Sequence, residues 1–440
     1  MRIKRTSFYI LFSVFLAAIF AVGAFAQKGP NPLISELKSS DAKIRAKAVQ
    51  VMGNSGDTST VPALTGALTD PSSKVRKEVI VALAKLHTNA CLDGLVTATR
   101  DSDPDVRAVA VHAIVGWYTG NIPSLGFRGV VRESYNGAKG WFQTNTTRVN
   151  PGTHLDPRAV SALTAAMNDT RSIQAARDAA LGLGILTARS AVPDLIKAAH
   201  STDADLASNA LDSLGKIKDV SAGPQLVDLL DSPSSEVRQS ACITVGILRT
   251  KSAVPKLQQI YHTDSNKGIR KAALDGLAFI GDPASDSVFI QALSSKDSDE
   301  RTYAAEGLAR ARDVKAAPDL ARRMAIEKNA GVRLAILFAE VSIGQTQHLR
   351  DLVDTLTSRT RGDVAQSYLI ELTRQKNLLA AIYPFLNDSN STIRRRVCVV
   401  LMYSGDMSSL APLSQLAHDR NSDVAAAALR ATQAIRARTS

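Results

Sequence analysis

A hydrophobic residue followed by arginine recurs along this 440-residue chain at an almost constant interval. Aligning the sequence on this dipeptide, as at Ile44-Arg45 and Val75-Arg76, gives twelve anchor positions: 44, 75, 106, 175, 206, 237, 269, 300, 332, 364, 393 and 424. Each step is 29–32 residues except the step from 106 to 175, where 69 residues equal one period of 31 plus 38 extra residues. A fixed period of this length is typical of repeat architectures.

The position three residues before each anchor predicts where a helix begins. Eleven of its twelve occupants carry side-chain groups that accept hydrogen bonds from free backbone amides, as preferred N-cap residues do. Pro104 follows the cap Asp103 at the first helical position, where its missing N–H is not needed. The twelve positions are Asp41, Ser72, Asp103, Ser172, Asp203, Ser234, Asn266, Asp297, Asn329, Arg361, Asn390 and Asn421.

The position five residues after each anchor predicts a buried helix face, because all twelve occupants are apolar. They are Val49, Ile80, Val111, Ala180, Leu211, Cys242, Leu274, Ala305, Leu337, Leu369, Cys398 and Leu429. A separate apolar stripe precedes the anchor and starts another helix, as in VPAL at 61–64, VPDL at 192–195 and VPKL at 254–257. Each period therefore contains two antiparallel helices, and stacking of successive periods buries their apolar faces in a one-dimensional solenoid.

These residues resemble the HEAT family of repeat proteins, in particular its short-repeat branch, the PBS-lyase HEAT-like repeats. The shared motif is the P-x-L start of the first helix, the D/S/N-x-x-V-R turn and a helix end such as ARDAALGLG at 176–184, and it covers residues 31–117 and 156–436. The resemblance implies an all-α, right-handed α-solenoid of about twelve HEAT-like helix pairs with one irregular insertion. It also implies that the eight arginines that follow an anchor are structural and form polar ladders between repeats.

The resemblance implies mainly non-catalytic relatives that bind proteins along a concave face, although the family also includes bilin lyases and an iron-dependent deoxyhypusine hydroxylase. Hydroxylase-type members bind metal through His-Glu dipeptides, whereas none of the seven histidines here precedes glutamate. The sequence has no P-loop and no HExxH motif. Cys91, Cys242 and Cys398 are interpreted as core residues, with a reactive thiol at Cys91 as the alternative. We predict no catalytic, cofactor-binding or metal-binding residue and no cofactor, and we expect that the chain is not an enzyme.

The 38 extra residues form an insertion that is unlike the repeats. Six of the fifteen aromatic residues after position 26 lie between positions 117 and 142, among glycines and basic residues. Long loops in compact folds are usually functional or disordered, and disorder is disfavoured here because disordered segments are poor in aromatic residues. Insertions within repeats often lie on the binding face. We predict that a partner contacts Trp117, Tyr118, Phe127, Arg132, Tyr135, Trp141 and Phe142.

Two interpretations of the insertion remain open. In the first, its Trp, Tyr and Arg side chains form a recognition surface, because these residue types dominate binding hot spots; the same rings are suited to stacking on sugars. In the second, the segment folds back and buries Trp117 and Trp141 as a plug where the third and fourth repeats meet. The two interpretations are compatible with each other.

The first 26 residues have the pattern of a secretory signal peptide. Arg2, Lys4 and Arg5 precede an apolar run from Phe8 onward, and AFA at 24–26 fits the small-x-small cleavage pattern before position 27. An uncleaved anchor is the alternative, although the run is short for a membrane span of about 20 residues. Cleavage removes three basic residues and lowers the formal net charge from +12 to +9.

The sequence thus predicts a signal peptide at 1–26, repeats at 27–117, the insertion at 118–155 and further repeats at 156–440. We expect an exported, periplasmic or secreted scaffold that binds a protein partner, binds no nucleic acid and has no membrane span after cleavage. Two alternatives stay open: a PBS-lyase-like enzyme or enzyme accessory, and recognition of cell-wall glycan through the insertion.

Overall fold

The computed structural model describes residues 32–120, 149 and 153–439. The chain divides into two compact units, Met1–Arg132 and Glu133–Ser440, called unit 1 and unit 2 below. The described residues of both units form helices and connecting turns, without a β-strand among them. The prediction of an all-α solenoid is confirmed, because these helices form consecutive pairs that stack within each unit.

Unit 1 contains three helix pairs in its described residues. The first helices of the pairs are α1 (Pro32–Glu36), α3 (Val61–Gly66) and α5 (Asn89–Ala98), and the second helices are α2 (Ala42–Ser55), α4 (Ser73–Leu86) and α6 (Pro104–Thr119). Helix α6 continues through Tyr118, a residue assigned to the insertion on sequence grounds, and ends at Gly120 in the left-handed conformation, with φ of 75°.

Unit 2 contains nine helix pairs in its described residues. Its first helices are α7 (Pro157–Met167), α9 (Val192–Ala199), the 3₁₀ segment Val220–Asp231, α12 (Val254–Thr263), α14 (Asp286–Ala292), α16 (Ala317–Ile326), α18 (Leu349–Asp354), α20 (Lys376–Ile382) and α22 (Leu410–Gln415). Its second helices are α8 (Ile173–Ile185), α10 (Ala204–Ile217), α11 (Ser235–Ile247), α13 (Lys267–Ile280), α15 (Ser298–Ala311), α17 (Ala330–Ser342), α19 (Gly362–Leu372), α21 (Ser391–Ser404) and α23 (Ser422–Thr439).

The twelve second helices begin where the sequence predicts. Each starts at the residue after a predicted cap position, and ten of the twelve side chains accept a hydrogen bond from a backbone amide of the first turn. The exceptions are Ser72, which makes no such bond, and Arg361, which has no acceptor. The first helices at 61, 192 and 254 also begin at the predicted valine.

The predicted buried face is confirmed at ten of its twelve positions and is wrong at two. Leu429 is 50% exposed because α23 is the last described helix, so that no following repeat covers this side. Leu337 is half-buried because α17 packs less closely on α19 than other second helices pack on their neighbours.

Consecutive second helices approach closely because small residues stand where they cross. A Cβ atom placed on Gly246 of α11 would lie 2.5 Å from the Cα atom of Gly276 in α13, which is well inside contact distance. The second helices thus form the tighter of the two layers.

The eight arginines after the anchors join the repeats together. Each donates through Nη1 to the carbonyl oxygen six residues earlier, at 2.6–3.3 Å, which satisfies the end of the preceding helix. Within the part of the chain that the structure describes, five also pair with a carboxylate of the next repeat: Arg45–Asp70, Arg76–Asp101, Arg238–Asp264, Arg301–Glu327 and Arg394–Asp419. The ladder implied by the resemblance is therefore present, and these eight of the 53 Lys and Arg residues have a structural role.

Candidate functional site

The insertion lies largely outside the described residues. Of the predicted partner contacts, Phe127, Arg132, Tyr135, Trp141 and Phe142 fall in this part, together with the predicted signal segment 1–26. Their predicted roles therefore stay predictions. The structure places the other two, Trp117 and Tyr118, in the last turn of α6, where both are half-buried.

Trp117 stacks on His87, which ends the preceding second helix. The ring centroids are 3.9 Å apart and the planes are inclined by 13°. His87 is exposed and has a positive φ of 51°, which turns the chain away from the end of α4. This stack holds the indole ring against unit 1 at the point where the chain enters the insertion.

A second candidate site lies on the second helices of unit 2. We call it the inner cluster, and it consists of Asp275 and Phe279 on α13, Tyr303, Glu306 and Arg310 on α15, Phe338 on α17, and Tyr368 and Glu371 on α19. Most ion pairs and hydrogen bonds between repeats join residues 25–38 apart in sequence, whereas contacts in this cluster join residues 61 and 62 apart. The cluster thus links repeats that are not neighbours along the chain.

Arg310 is at the centre of the inner cluster. Its side chain is 7% exposed, and its Nε lies 3.1 Å from Oε1 of Glu371, while its Nη1 lies 3.3 Å from Oε2 of Glu306. Burial would lower the pKa of Arg310, but the charges of Glu306 and Glu371 raise it, so that the guanidinium stays charged. Its Cζ also lies 5.1 Å from the ring centroid of Phe279, within cation–π range.

Tyr368 is a buried residue of the cluster that contacts Glu306 and Phe338. Its hydroxyl donates a hydrogen bond to Oε1 of Glu306, and its ring stacks on Phe338 with centroids 4.3 Å apart. Burial, followed by the charge of Glu306, raises the pKa of Tyr368 well above its usual range, so that the hydroxyl keeps its proton.

Glu371 also forms an ion pair with a second arginine, Arg249, on its solvent side. Nη2 of Arg249, just after the end of α11, lies 3.5 Å from Oε1 of Glu371, although the two residues are 122 positions apart. The Arg249 side chain is 59% exposed. Because repeats so far apart meet here, the second-helix layer is the concave, inner side of unit 2.

Asp275 is the buried carboxyl of the cluster that lacks a counter-ion bond. It is 6% exposed, and its Oδ1 has no hydrogen-bond partner among the described residues. Burial and the neighbouring charge of Glu306 raise the pKa of Asp275 to about 8, although Arg310 lowers it in part.

The inner cluster was not predicted from the sequence. The available signal was a charged residue six positions after the anchor in two successive repeats, namely Asp275 and Glu306. This position belongs to the helix face that packs on the neighbouring helices. The connection to α19 gave no signal, because it depends on how strongly the stack curves.

The three cysteines are core residues, as predicted. Cys91, Cys242 and Cys398 are fully buried free thiols, and burial raises the pKa of Cys242 and of Cys398 to about 12. Within the described ranges, no group of His, Cys, Asp or Glu side chains is arranged to hold a metal ion, and no helix has the length and apolar character needed to cross a membrane.

Comparison with known proteins connects this geometry to a family. A family model described as HEAT repeats matches residues 30–115, 160–246, 192–278, 223–303 and 254–339, which together cover more than half of the chain. No curated protein matches the chain.

Two solved structures are similar to this chain. Importin beta is 12% identical with a TM-score of 0.52; the match covers 92% of this chain and 62% of the importin chain. An engineered protein is 19% identical over 92% of this chain and 98% of its own, with a TM-score of 0.34. At these identities the importin match shows the solenoid fold alone, and HEAT solenoids of this kind are generally non-catalytic and bind protein partners.

Proposed function

Because the chain belongs to the HEAT-repeat family, we propose that it is an exported, non-catalytic scaffold that binds a protein partner in the cell envelope. The observation that carries this proposal is the layer of second helices in unit 2, whose inner face carries the charged and aromatic side chains of the inner cluster. Such extended concave surfaces are what solenoids use to bind other macromolecules.

Export is the part of this proposal that the first 26 residues support. The basic start, the apolar run and the AFA sequence at 24–26 fit a signal peptide. The intact mass of the protein after expression with its own N-terminus tests this part. We expect a mature chain that begins at Gln27, whereas retention of residues 1–26 would identify an anchor instead.

The insertion is the second proposed contact surface. Its aromatic and basic composition supports recognition, and Trp117 already lies half-buried on His87 at its N-terminal end. Replacing residues 120–154 with a short Gly/Ser linker removes the segment without altering the helices on either side. The mature protein and this variant are then compared as bait in envelope extract, after circular dichroism confirms equal helicity.

The outcome distinguishes recognition from a structural role. Loss of a specific captured protein with an unchanged melting temperature would support the insertion as a contact surface. A collapsed melting transition would identify it as a structural plug. Sedimentation with peptidoglycan that depends on the insertion, or visible absorbance from a bound bilin, flavin or metal, would contradict the proposed protein-binding function.

A further inference from the structure

The turns that follow the second helices of unit 2 carry exposed arginines in alternate repeats. Glycine stands at the equivalent turn of the repeats between them, so that the order along the chain is Arg249, Gly281, Arg312, Gly344 and Arg374. We call Arg249, Arg312 and Arg374 the arginine rim, and all three are exposed. The rim lies at the edge of the concave side, where Arg249 also meets the inner cluster.

Two arginines of the rim have an unfavourable backbone conformation. Arg249 and Arg312 have φ of 52° and 56°, in the left-handed region that glycine adopts freely. Gly281 and Gly344 have positive φ at the same turn of other repeats. A strained residue retained where glycine fits points to a function of its side chain. The helix dipole favours a cation at the end of any helix and so does not explain why arginine alternates with glycine.

The rim carries more positive charge than the neighbouring carboxylates balance. Glu371 pairs with both Arg249 and Arg310 and is thus already shared between two guanidinium groups. The side chains of Arg312 and Arg374 make no ion pair or hydrogen bond among the described residues. Two exposed guanidinium groups of the rim are therefore available to an anionic ligand.

The surface between these two arginines is open. Gly344 stands at the intermediate turn, and a Cβ atom placed on it would meet nothing within 4 Å. Asp313, the carboxylate next to Arg312 in sequence, accepts a hydrogen bond at 2.9 Å from the backbone amide of Lys315 and so stabilises its own turn. A ligand can therefore reach Arg312 and Arg374 without displacing a side chain of the protein.

We propose that the arginine rim binds an acidic segment of a protein partner, whose Asp and Glu carboxylates pair with Arg312 and Arg374. A guanidinium group matches a carboxylate with two parallel hydrogen bonds. Neighbouring helices pack about 8–10 Å apart, so arginines on alternate repeats fit a segment with several carboxylates better than a single small anion. This inference rests on the proposed function, because it names the chemistry of the partner.

The test uses the intact mature chain and a dye-labelled hexa-glutamate peptide, with hexa-glutamine as the neutral control of similar shape. Fluorescence anisotropy at low ionic strength, where screening is weak, gives the two affinities. We expect hexa-glutamine to bind at least about tenfold more weakly, because only the carboxylates form charge-assisted hydrogen bonds with guanidinium groups.

A pair of double variants locates the binding. Arg312→Gly with Arg374→Ala should bind hexa-glutamate about tenfold more weakly, since each exposed ion pair contributes about threefold. Lys296→Ala with Lys328→Ala is the matched control, because it removes two positive charges from exposed residues in turns that precede second helices. This control should change the affinity by less than about twofold, the remaining effect being that of net charge.

Stability and binding should separate at Arg312. Arg312→Gly relieves the backbone strain, so the melting temperature should not fall, whereas the affinity for hexa-glutamate should fall about threefold. Arg312→Lys keeps the positive charge and should retain most of the affinity. If the Arg312 side chain had only a structural role, Arg312→Gly would lower the melting temperature and leave the affinity unchanged.

Equal binding of the two peptides would overturn the inference, and so would equal affinities of the rim and control double variants. Sedimentation with phosphatidylglycerol vesicles that is lost in the rim double variant, without binding of hexa-glutamate, would assign the rim to a membrane surface and overturn it as well. Each of these results leaves the scaffold function standing, because that function is tested through the insertion and a captured protein.

Discussion

At the scale of single residues, Glu327 and Asp275 are two buried carboxyls whose surroundings shift the pKa in opposite directions. Burial raises the pKa of Glu327, but hydrogen bonds from Arg301, the Asn329 amide and Arg323 outweigh it and hold the pKa at about 2. The folded-state pKa is thus below the unfolded one, so this stability is present above about pH 4.5 and is lost as the pH falls towards 2. The contribution of Asp275 to stability has the opposite pH dependence, because its pKa is raised in the folded chain.

Glu327→Gln should destabilise unit 2 at pH 7 by about 3 kcal/mol, because it breaks a buried pair and leaves Arg301 without its charged partner. Urea denaturation at pH 7 and at pH 3 measures the effect, which should shrink at the lower pH. Asp319→Asn is the matched control: it breaks the pair with Arg322, whose side chain is 75% exposed, and should cost less than about 1 kcal/mol. An equal loss in the free energy of unfolding for the two variants would contradict a structural role for the arginine–carboxylate ladder between repeats.

Asp275→Asn should remove a pH dependence of stability. The wild-type carboxyl ionises in the unfolded chain near pH 4 but keeps its proton in the folded chain up to about pH 8, so stability falls as the pH rises through this window. The amide has no such titration. The melting temperature of Asp275→Asn relative to wild type should therefore rise between pH 5 and pH 8, and a constant difference would refute the buried environment described for this group.

At the scale of elements, six of the twelve described second helices end directly in a left-handed residue, and that residue is not always glycine. Gly56 and Gly281 end two of them, whereas His87, Lys218 and Arg312 adopt positive φ at the equivalent point of other repeats. A side chain in this conformation costs about 1 kcal/mol. The cost of this conformation can be measured in two ways: by introducing glycine at a helix end that lacks it, and by replacing glycine at a helix end that has it.

Arg312→Gly should raise the free energy of unfolding by about 0.5–1 kcal/mol, because glycine adopts this conformation without strain. Gly56→Ala is the mirror experiment, because a Cβ at this position meets nothing within 4 Å, so that any loss reports backbone strain alone. We expect a loss of about 1 kcal/mol. Chemical denaturation measures both, and a destabilised Arg312→Gly would contradict this account of the helix ends.

The helix starts were predictable from sequence, and the inner cluster was not. A cap such as Asp203 acts on amides two or three residues away, so its position fixes the start of its own helix. The buried column succeeded at ten positions, whereas it failed at Leu337, where the next second helix packs loosely, and at Leu429, which no described repeat follows. The contact of Arg249 with Glu371 depends on small inclinations summed over several repeats, and no local pattern encodes that sum.

At the scale of the whole molecule, a solenoid has mainly nearest-neighbour interactions, so damage should stay local. Deleting residues 406–440 removes the last helix pair and exposes the face of α21 against which it packs. We expect faster amide hydrogen exchange in α21 and unchanged exchange in α8 to α13. Global unfolding of unit 2 would show that its stability is not organised repeat by repeat.

We propose that this chain binds a protein along the inner face of its second helices and through its insertion. Hydrogen-exchange mass spectrometry of the mature chain, with and without a protein captured specifically by it, tests this proposal. We expect slower exchange in the second helices α13, α15, α17 and α19 and in residues 120–154. Protection confined to the first helices, such as α12, α14 and α16, would contradict it.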